Sequence, residues 1–311
     1  MITIVQILAP VVLVIALGWG LARSGFLSTS AFAEINRLTY WVGLPALLIG
    51  RIGAATPSFD AVGGLLVVLL GATAAVIVIA VVVGFLWQMP MRSLMTFSHG
   101  AFRGNLTFVG LPVVIYAFTG APGAGSYESA ALIAFVPMIV LYNIVAVVMM
   151  ELPGETSAFV ATRRVLTGLV TNPILIATLV GMAIAIFGVS LPVFVDRTLF
   201  AVGQMALPLA LMGIGAGLYA TRLRGRQHWA VGSALLKTAA APAVGFMLGT
   251  WIGLGSEEMR IALIFLACPS AAAAYVLVQQ TDGDTALIAS TIVLSHLLAL
   301  PAMVLVLALT A

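Results

Sequence analysis

Apolar residues run along this chain in ten blocks, each near the ~20 residues that an α-helix needs to cross a ~30 Å hydrocarbon core. The blocks cover roughly 2–22, 32–53, 60–87, 94–118, 128–151, 163–188, 195–220, 229–253, 259–280 and 284–309, referred to as segments 1 to 10. Segment 3 is long, which fits a tilted helix. The connections are short; the longest polar stretches, Glu151–Arg164 and Thr221–His228, leave no room for a soluble domain. Segment 1 is apolar from its second residue and lacks both a basic leader and a small-x-small cleavage site, so it reads as a first transmembrane helix rather than a removed signal peptide. The pattern predicts an all-α polytopic membrane protein with ten transmembrane helices.

The blocks repeat. Gly43-Leu-Pro-Ala-Leu-Leu-Ile-Gly50 in segment 2 resembles Ala206-Leu-Pro-Leu-Ala-Leu-Met-Gly213 in segment 7, an offset of 206 − 43 = 163. Trp87 and Trp251 end segments 3 and 8, and Pro112 and Pro269 interrupt segments 4 and 9. Glu128-Ser-Ala-Ala-Leu-Ile-Ala and Asp284-Thr-Ala-Leu-Ile-Ala open segments 5 and 10. The matches keep one order, which predicts a five-plus-five duplication. Five is odd, so the second half enters the membrane from the opposite side, the inverted-repeat plan of secondary transporters. The expected division is 1–151 for the first repeat, 152–162 for a cytoplasmic linker and 163–311 for the second repeat.

Two blocks are broken where leucines should continue. Segment 4 holds Arg103-Gly-Asn-Leu-Thr-Phe-Val-Gly-Leu-Pro112, and segment 9 holds Ala267-Cys-Pro-Ser270. Unpaired backbone groups in hydrocarbon cost several kcal/mol each, so such breaks survive only where protein or a water-filled cavity surrounds them. Proline suits the first turn of a new helix, so Pro112 and Pro269 are each expected to start a second half-helix at mid-membrane. A helix start offers free N–H groups and about half a positive charge. Two such starts meeting from opposite sides favour an anion; the plainer alternative is a pair of kinked helices. Asn105, Cys268 and Ser270 stand inside the breaks.

If the helix of segment 4 ran on, His99, Arg103 and Thr107 would share one face at i, i+4 and i+8. An arginine at membrane depth costs about 2.5–3.5 kcal/mol or more and must face a cavity or a partner. No aspartate or glutamate falls clearly inside a segment. Arg103 therefore either meets an anionic ligand or bonds the carbonyls of the broken helices. Lys237 in segment 8 either snorkels or contacts the ligand. His296 in segment 10 either packs neutral or carries a proton. Asn143 in segment 5 is polar glue by default.

Composition narrows the class further. The chain is 62% hydrophobic and only 7% charged, against about 25% in globular proteins. The net charge of +3 reflects arginines in short loops, a bias of topology and not of nucleic-acid binding. With the N-terminus outside, the inner side holds Arg23, Arg37, Arg92, Arg163, Arg164, Arg222, Arg224 and Arg226 and the outer side Arg51, Arg197 and Arg260, so both termini are expected outside the cell (inner) membrane. Enzyme signatures and nucleotide motifs are missing, and one cysteine with three histidines gives little for a metal. No enzyme activity, cofactor or metal is expected.

Ile35-Asn-Arg-Leu-Thr-Tyr-Trp-Val-Gly-Leu-Pro-Ala-Leu-Leu48, Phe102-Arg-Gly-Asn-Leu-Thr-Phe-Val-Gly-Leu-Pro112, Ala267-Cys-Pro-Ser-Ala271 and Asn172-Pro173 resemble motifs of the auxin efflux carrier family. The resemblance covers essentially the whole chain and is most specific in Gly-Asn-x4-Gly-x-Pro; the plant members' long loop is absent, as in the short, bacterial-type branch. It implies a fold like the bile-acid-sodium symporters. A scaffold of segments 1, 2, 6 and 7 would support a moving transport domain of segments 3–5 and 8–10. Segments 4 and 9 would cross at the substrate, with Pro112, Pro269 and Asn105 carried over as site residues. Family members move organic anions, among them indole acetate and dicarboxylates such as malonate or malate. The expected function is thus secondary transport or uniport of small organic anions by an elevator mechanism. A homodimer through the scaffold is a further expectation. The alternatives are a sodium- or proton-coupled carrier of another solute and a non-transporting membrane sensor.

Overall fold

Prolines decide where the helices of this chain widen. In the computed structural model, which describes residues 2–54, 59–120, 123–151 and 158–310, the backbone is helical apart from turns, short breaks and one isolated antiparallel bridge. In chain order the helices are α1 (Ile2–Arg23), α2 (Thr29–Leu38), α3 (Leu44–Gly53), α4 (Phe59–Leu86), α5 (Met91–Phe102), α6 (Leu111–Phe118), α7 (Ala124–Glu151) and α8 (Ala158–Val170). There follow α9 (Pro173–Ile186), α10 (Val193–Gln204), α11 (Ala206–Ala220), α12 (Gln227–Leu235), α13 (Ala241–Trp251), α14 (Ser256–Ala267), α15 (Ala273–Gln280) and α16 (Thr285–Leu309). Three π-helical turns, Thr39–Gly43, Leu106–Gly110 and Leu236–Ala240, lead into Leu44-Pro45, Leu111-Pro112 and Ala241-Pro242. Proline has no N–H and its ring presses on the carbonyl four residues back. The turn before it therefore widens: Leu44 donates to Thr39 O and Ala241 to Leu236 O, five residues back instead of four.

Among the described residues, six stretches are long and apolar enough to cross a membrane: Ile4–Arg23, Val62–Leu86, Ala124–Glu151, Val193–Ala220, Gln227–Trp251 and Thr285–Leu309. The other four predicted segments are helical as well, but each is interrupted or polar. Segments 4 and 9 fall into α5 with α6 and α14 with α15, and segment 6 into α8 and α9 at Asn172-Pro173. Segment 2 carries Glu34, Arg37 and Arg51. An all-helical chain with several membrane-length apolar helices is the architecture of a polytopic membrane protein. Of the linker expected at 152–162, residues 152–157 lie outside the described residues, and 158–162 are the first turn of α8.

The chain divides into two units. Unit 1 gathers Met1–Val62, Leu111–Pro137 and Leu169–Ala220. Within it α1 packs along α11, and α3 packs on α9 and α10. The α1–α11 approach is a backbone contact: a Cβ on Gly215 would press on the Ile15 carbonyl and sit 2.7 Å from Trp19 N. Small residues at such seams let helices meet where lipid supplies no hydrophobic drive. Asn172 caps α9, accepting from the N–H groups of Ile174 (3.0 Å) and Leu175 (3.1 Å). Arg51, at the end of α3, pairs with Glu128 in the first turns of α7 at 2.6 Å.

Unit 2 gathers Gly63–Gly110, Met138–Gly168 and Thr221–Ala311. Here α5 packs against α12 and α16, and α13 against α14. Asp284 ties two helix heads: its carboxylate accepts from Leu287 N–H (3.0 Å) and from the Ser93 hydroxyl (3.0 Å), while its N–H donates to Thr96 Oγ1 (3.1 Å).

Two outcomes test these seams in detergent-purified protein. Gly215→Ala is expected to lower the thermal midpoint through a clash worth about 1–3 kcal/mol; Gly217→Ala, which meets nothing within 4 Å, is expected to leave it unchanged. Arg51→Glu is expected to destabilise unit 1 by on the order of 1 kcal/mol, and adding Glu128→Arg is expected to restore most of that loss in a double-mutant comparison of midpoints.

Candidate functional site

The two interrupted segments meet inside unit 2. α5 stops at Phe102 and the chain turns extended at Arg103 (φ −76°, ψ 92°); α14 stops at Ala267 and turns extended at Cys268 (φ −63°, ψ 149°). The extended residues pair antiparallel, Gly104 opposite Ser270. Asn105 N–H donates to Pro269 O at 2.7 Å and Ala271 N–H to Arg103 O at 2.9 Å. Each break thus satisfies backbone groups of the other, which is what apolar surroundings demand. Side chains close further gaps: the Ser270 hydroxyl donates to Gly100 O (2.6 Å), and Ser295 Oγ accepts the Ser270 N–H (3.0 Å). A Cβ on Gly104 would lie 2.8 Å from Lys237 Cε and 2.9 Å from Cys268 Sγ, so a side chain there would displace both.

Asn105, 5% exposed, heads the second half of the segment. Its side-chain carbonyl accepts the Phe108 N–H at 3.2 Å, and its backbone carbonyl accepts from Val109 and Gly110, each at 3.1 Å. This is the work of an N-cap. The N–H groups of Leu106 and Thr107 meet no acceptor among the described residues.

Two cations stand at the crossing. Arg103 Nη2 donates to Asn143 Oδ1 at 2.8 Å. Next to it, the Tyr142 hydroxyl interacts with Thr73 and the Gly104 backbone, and the Tyr142 ring lies 5.8 Å from Phe102. Lys237 sits in the π-helical turn Leu236–Ala240, is 1% exposed, and donates to the Leu266 carbonyl. His99, one turn before Arg103, is fully buried with neither ring nitrogen bonded among the described residues, an arrangement that costs about 1–3 kcal/mol per unsatisfied group.

Several expectations change. Pro269 does not start a helix: α15 begins at Ala273, and Pro269 lies in the extended stretch with its carbonyl in the bridge. Its ring disfavours helical backbone at the residue before it, and Cys268 is extended, whereas Leu44 and Ala241, also before prolines, stay helical. Pro112 does stand in the first turn, as second residue of α6, and residues 111–118 group with unit 1. Because α5 ends at Phe102, Thr107 falls on the π-helical turn after the break and not on one continuous face with His99 and Arg103. Lys237 points inward and does not snorkel. His296 Nδ1 lies 2.7 Å from the Ile292 carbonyl on its own helix; it is its neighbour Ser295 that reaches the break. Ser295 and Tyr142 went unread because each sits beside a more conspicuous residue, His296 and Asn143. The crossing therefore brings together Arg103, Asn105, Asn143, Lys237, Cys268, Pro269 and Ser270. Among the described residues no group of three or more His, Cys, Asp or Glu side chains could hold a metal. A site of amides, hydroxyls and two cations is chemically suited to a small anion.

A stretch of 133 residues is 26% identical to an uncharacterised transporter of Methanocaldococcus jannaschii, covering 42% of this chain and 43% of that protein, so the match spans less than half of the relative's length. The sequence pattern of the family described as membrane transport protein matches residues 3–307. The chain belongs to that membrane transport family, the auxin efflux carriers.

Proposed function

We propose that this protein is a secondary carrier or uniporter of small organic anions, carboxylates of the auxin-like or malonate and malate type. The observation that carries the reading is the buried crossing in unit 2, where Arg103 and Lys237 flank paired breaks lined by amides and hydroxyls. The substrate carboxylate would lie beside Asn105 and the N–H groups of Leu106 and Thr107, in the field of Arg103. Ten spans in two inverted repeats, both termini outside the cell membrane, and an elevator motion of segments 3–5 and 8–10 against a scaffold of segments 1, 2, 6 and 7 belong to the same proposal. Residues 63–110, 138–151 and 221–311 of that transport domain group together in unit 2, whereas 111–118 and 124–137 group with unit 1 and 163–168, from the proposed scaffold, with unit 2. A homodimer through the scaffold is proposed with it.

A proton-coupled form of this carrier is favoured by one feature, the unpartnered ring of His99 within reach of Arg103's charge. An anion bound beside Arg103 would offset that charge and favour a proton on the His99 ring, so the two would move together.

Uptake into proteoliposomes tests the site. Arg103→Ala and Asn105→Ala are each expected to cut kcat/KM for a labelled mono- or dicarboxylate by about tenfold or more, equivalent to ~1.4 kcal/mol; wild-type rates in both variants would overturn the assignment. Purified protein is expected to gain about 2.7 kcal/mol of stability at a hundredfold excess of a true substrate over its Kd, read as a thermal shift across a carboxylate panel. Collapsing the pH gradient is expected to slow wild-type uptake and to leave His99→Gln unaffected; a gradient-independent wild type removes the proton-coupled form.

A further inference from the structure

Three arginines stand within five residues ahead of α12, in Thr221-Arg-Leu-Arg-Gly-Arg-Gln-His228, a stretch that holds no acid. Arg222, Arg224 and Arg226 are all exposed, and among the described residues none of them pairs with a carboxylate. The backbone that carries them is clamped. Arg224 N–H donates to Ser290 Oγ of α16 (2.8 Å), and the Ser290 hydroxyl donates to Arg224 O (2.7 Å). Gln227 Nε2 donates to the same carbonyl at 2.9 Å. Gly225 takes a left-handed φ of +76°, and a Cβ there would lie 3.2 Å from Ala286 Cβ. The carboxylate at this end of α16, Asp284, is committed to Leu287 N–H and the Ser93 hydroxyl. The backbone is fixed, while its three charges go unneutralised.

Aromatic rings give the depth of this stretch. The Arg226 guanidinium lies 4.4 Å from the centroid of the Trp229 ring. His228 packs near both Trp229 and Trp87, with ring centroids 5.6 and 6.0 Å away. Trp87 directly follows the apolar span Val62–Leu86 and is 43% exposed. Tryptophan collects at the membrane–water boundary, where its apolar body and its N–H are both satisfied. The arginines therefore stand at the level of lipid headgroups. Leu223, 50% exposed among them, suits an oily surface and not open water. Guanidinium groups bind phosphate oxygens in a bidentate fashion, and a backbone fixed in advance lowers the ordering cost of doing so.

We propose that this stretch is a docking site for an anionic phospholipid: Arg222, Arg224 and Arg226 hold the headgroup phosphate, and the acyl chains lie against Leu223 and Trp87. The contact ties this end of unit 2 to the charged leaflet beside it. It stands apart from the crossing and holds whatever the crossing carries.

The test titrates the full chain, in a neutral detergent, with dioctanoyl phosphatidylglycerol and reads the thermal midpoint. Dioctanoyl phosphatidylcholine serves as the zwitterionic arm and glycerophosphoglycerol as the same headgroup without chains. Wild type is expected to rise with phosphatidylglycerol alone. The triple variant Arg222→Gln, Arg224→Gln, Arg226→Gln is expected to keep the lipid-free midpoint and to need on the order of a hundredfold more of that lipid for half the rise. A control with the same change of charge, Arg23→Gln, Arg37→Gln, Arg163→Gln, is expected to respond as wild type does. A triple variant that responds like wild type, or a control that loses as much, would overturn the proposal. So would an equal rise with phosphatidylcholine, which needs no charge, or with glycerophosphoglycerol, which needs no lipid. Where the triple variant is not recovered folded, Arg222→Gln with Arg224→Gln decides in its place, with an expected loss of roughly twentyfold or more and an unchanged response overturning the proposal.

Discussion

Everything in unit 2 follows from one requirement: a polar backbone group in an apolar medium must find a partner. The chain breaks two helices and then lets the breaks supply one another. The bonds from Asn105 to Pro269 and from Ala271 to Arg103 are sheet bonds in miniature, used where no sheet exists. Ser270, Ser295 and Asn105 then take up what those two leave. Removing any one of these groups leaves a buried donor or acceptor orphaned, which costs more than the bond itself contributes. The cations and amides that suit a ligand stand in a crossing whose backbone groups are already paired.

The prolines show how local chemistry sets this up. Pro45, Pro112 and Pro242 each widen the turn before them into a π-helical one without ending the path of the chain. Pro269 acts otherwise: Cys268 before it makes the last helical bond of α14, to Ile264 O, and the chain then runs extended. One residue type thus makes a bulge in three places and a break in a fourth.

How much could be read from the chain alone follows from this. The all-helical, membrane-spanning class was legible because membrane-length hydrophobicity is a property of composition, and the breaks at 103–112 and 267–270 were legible because charge and proline interrupt it. The register inside the breaks was not. Whether Pro269 begins a helix or precedes one by four residues depends on the bridge to Arg103 and Asn105, which no local window contains. Asn105 looked like a ligand residue, and its side-chain carbonyl turns out to be committed to Phe108 N–H. Lys237 lies only part-way into its block, so a solvent-seeking side chain was a fair expectation; its inward path is set by the space above Gly104. Ser295 carries no signal of its own in an apolar helix.

The Gly104–Ser270 bridge joins residues 270 − 104 = 166 positions apart. A chain made and inserted from its N-terminus therefore places Arg103, Gly104 and Asn105 in the bilayer long before Pro269 and Ala271 exist. In that interval the first break has no strand to pair with, and its polar groups must be met by water, by lipid headgroups or by the insertion machinery. Completion of the ninth segment is the moment at which the first half stops being a tolerated intrusion in the membrane. The order of synthesis, as much as the final geometry, sets how polar the first interruption can be.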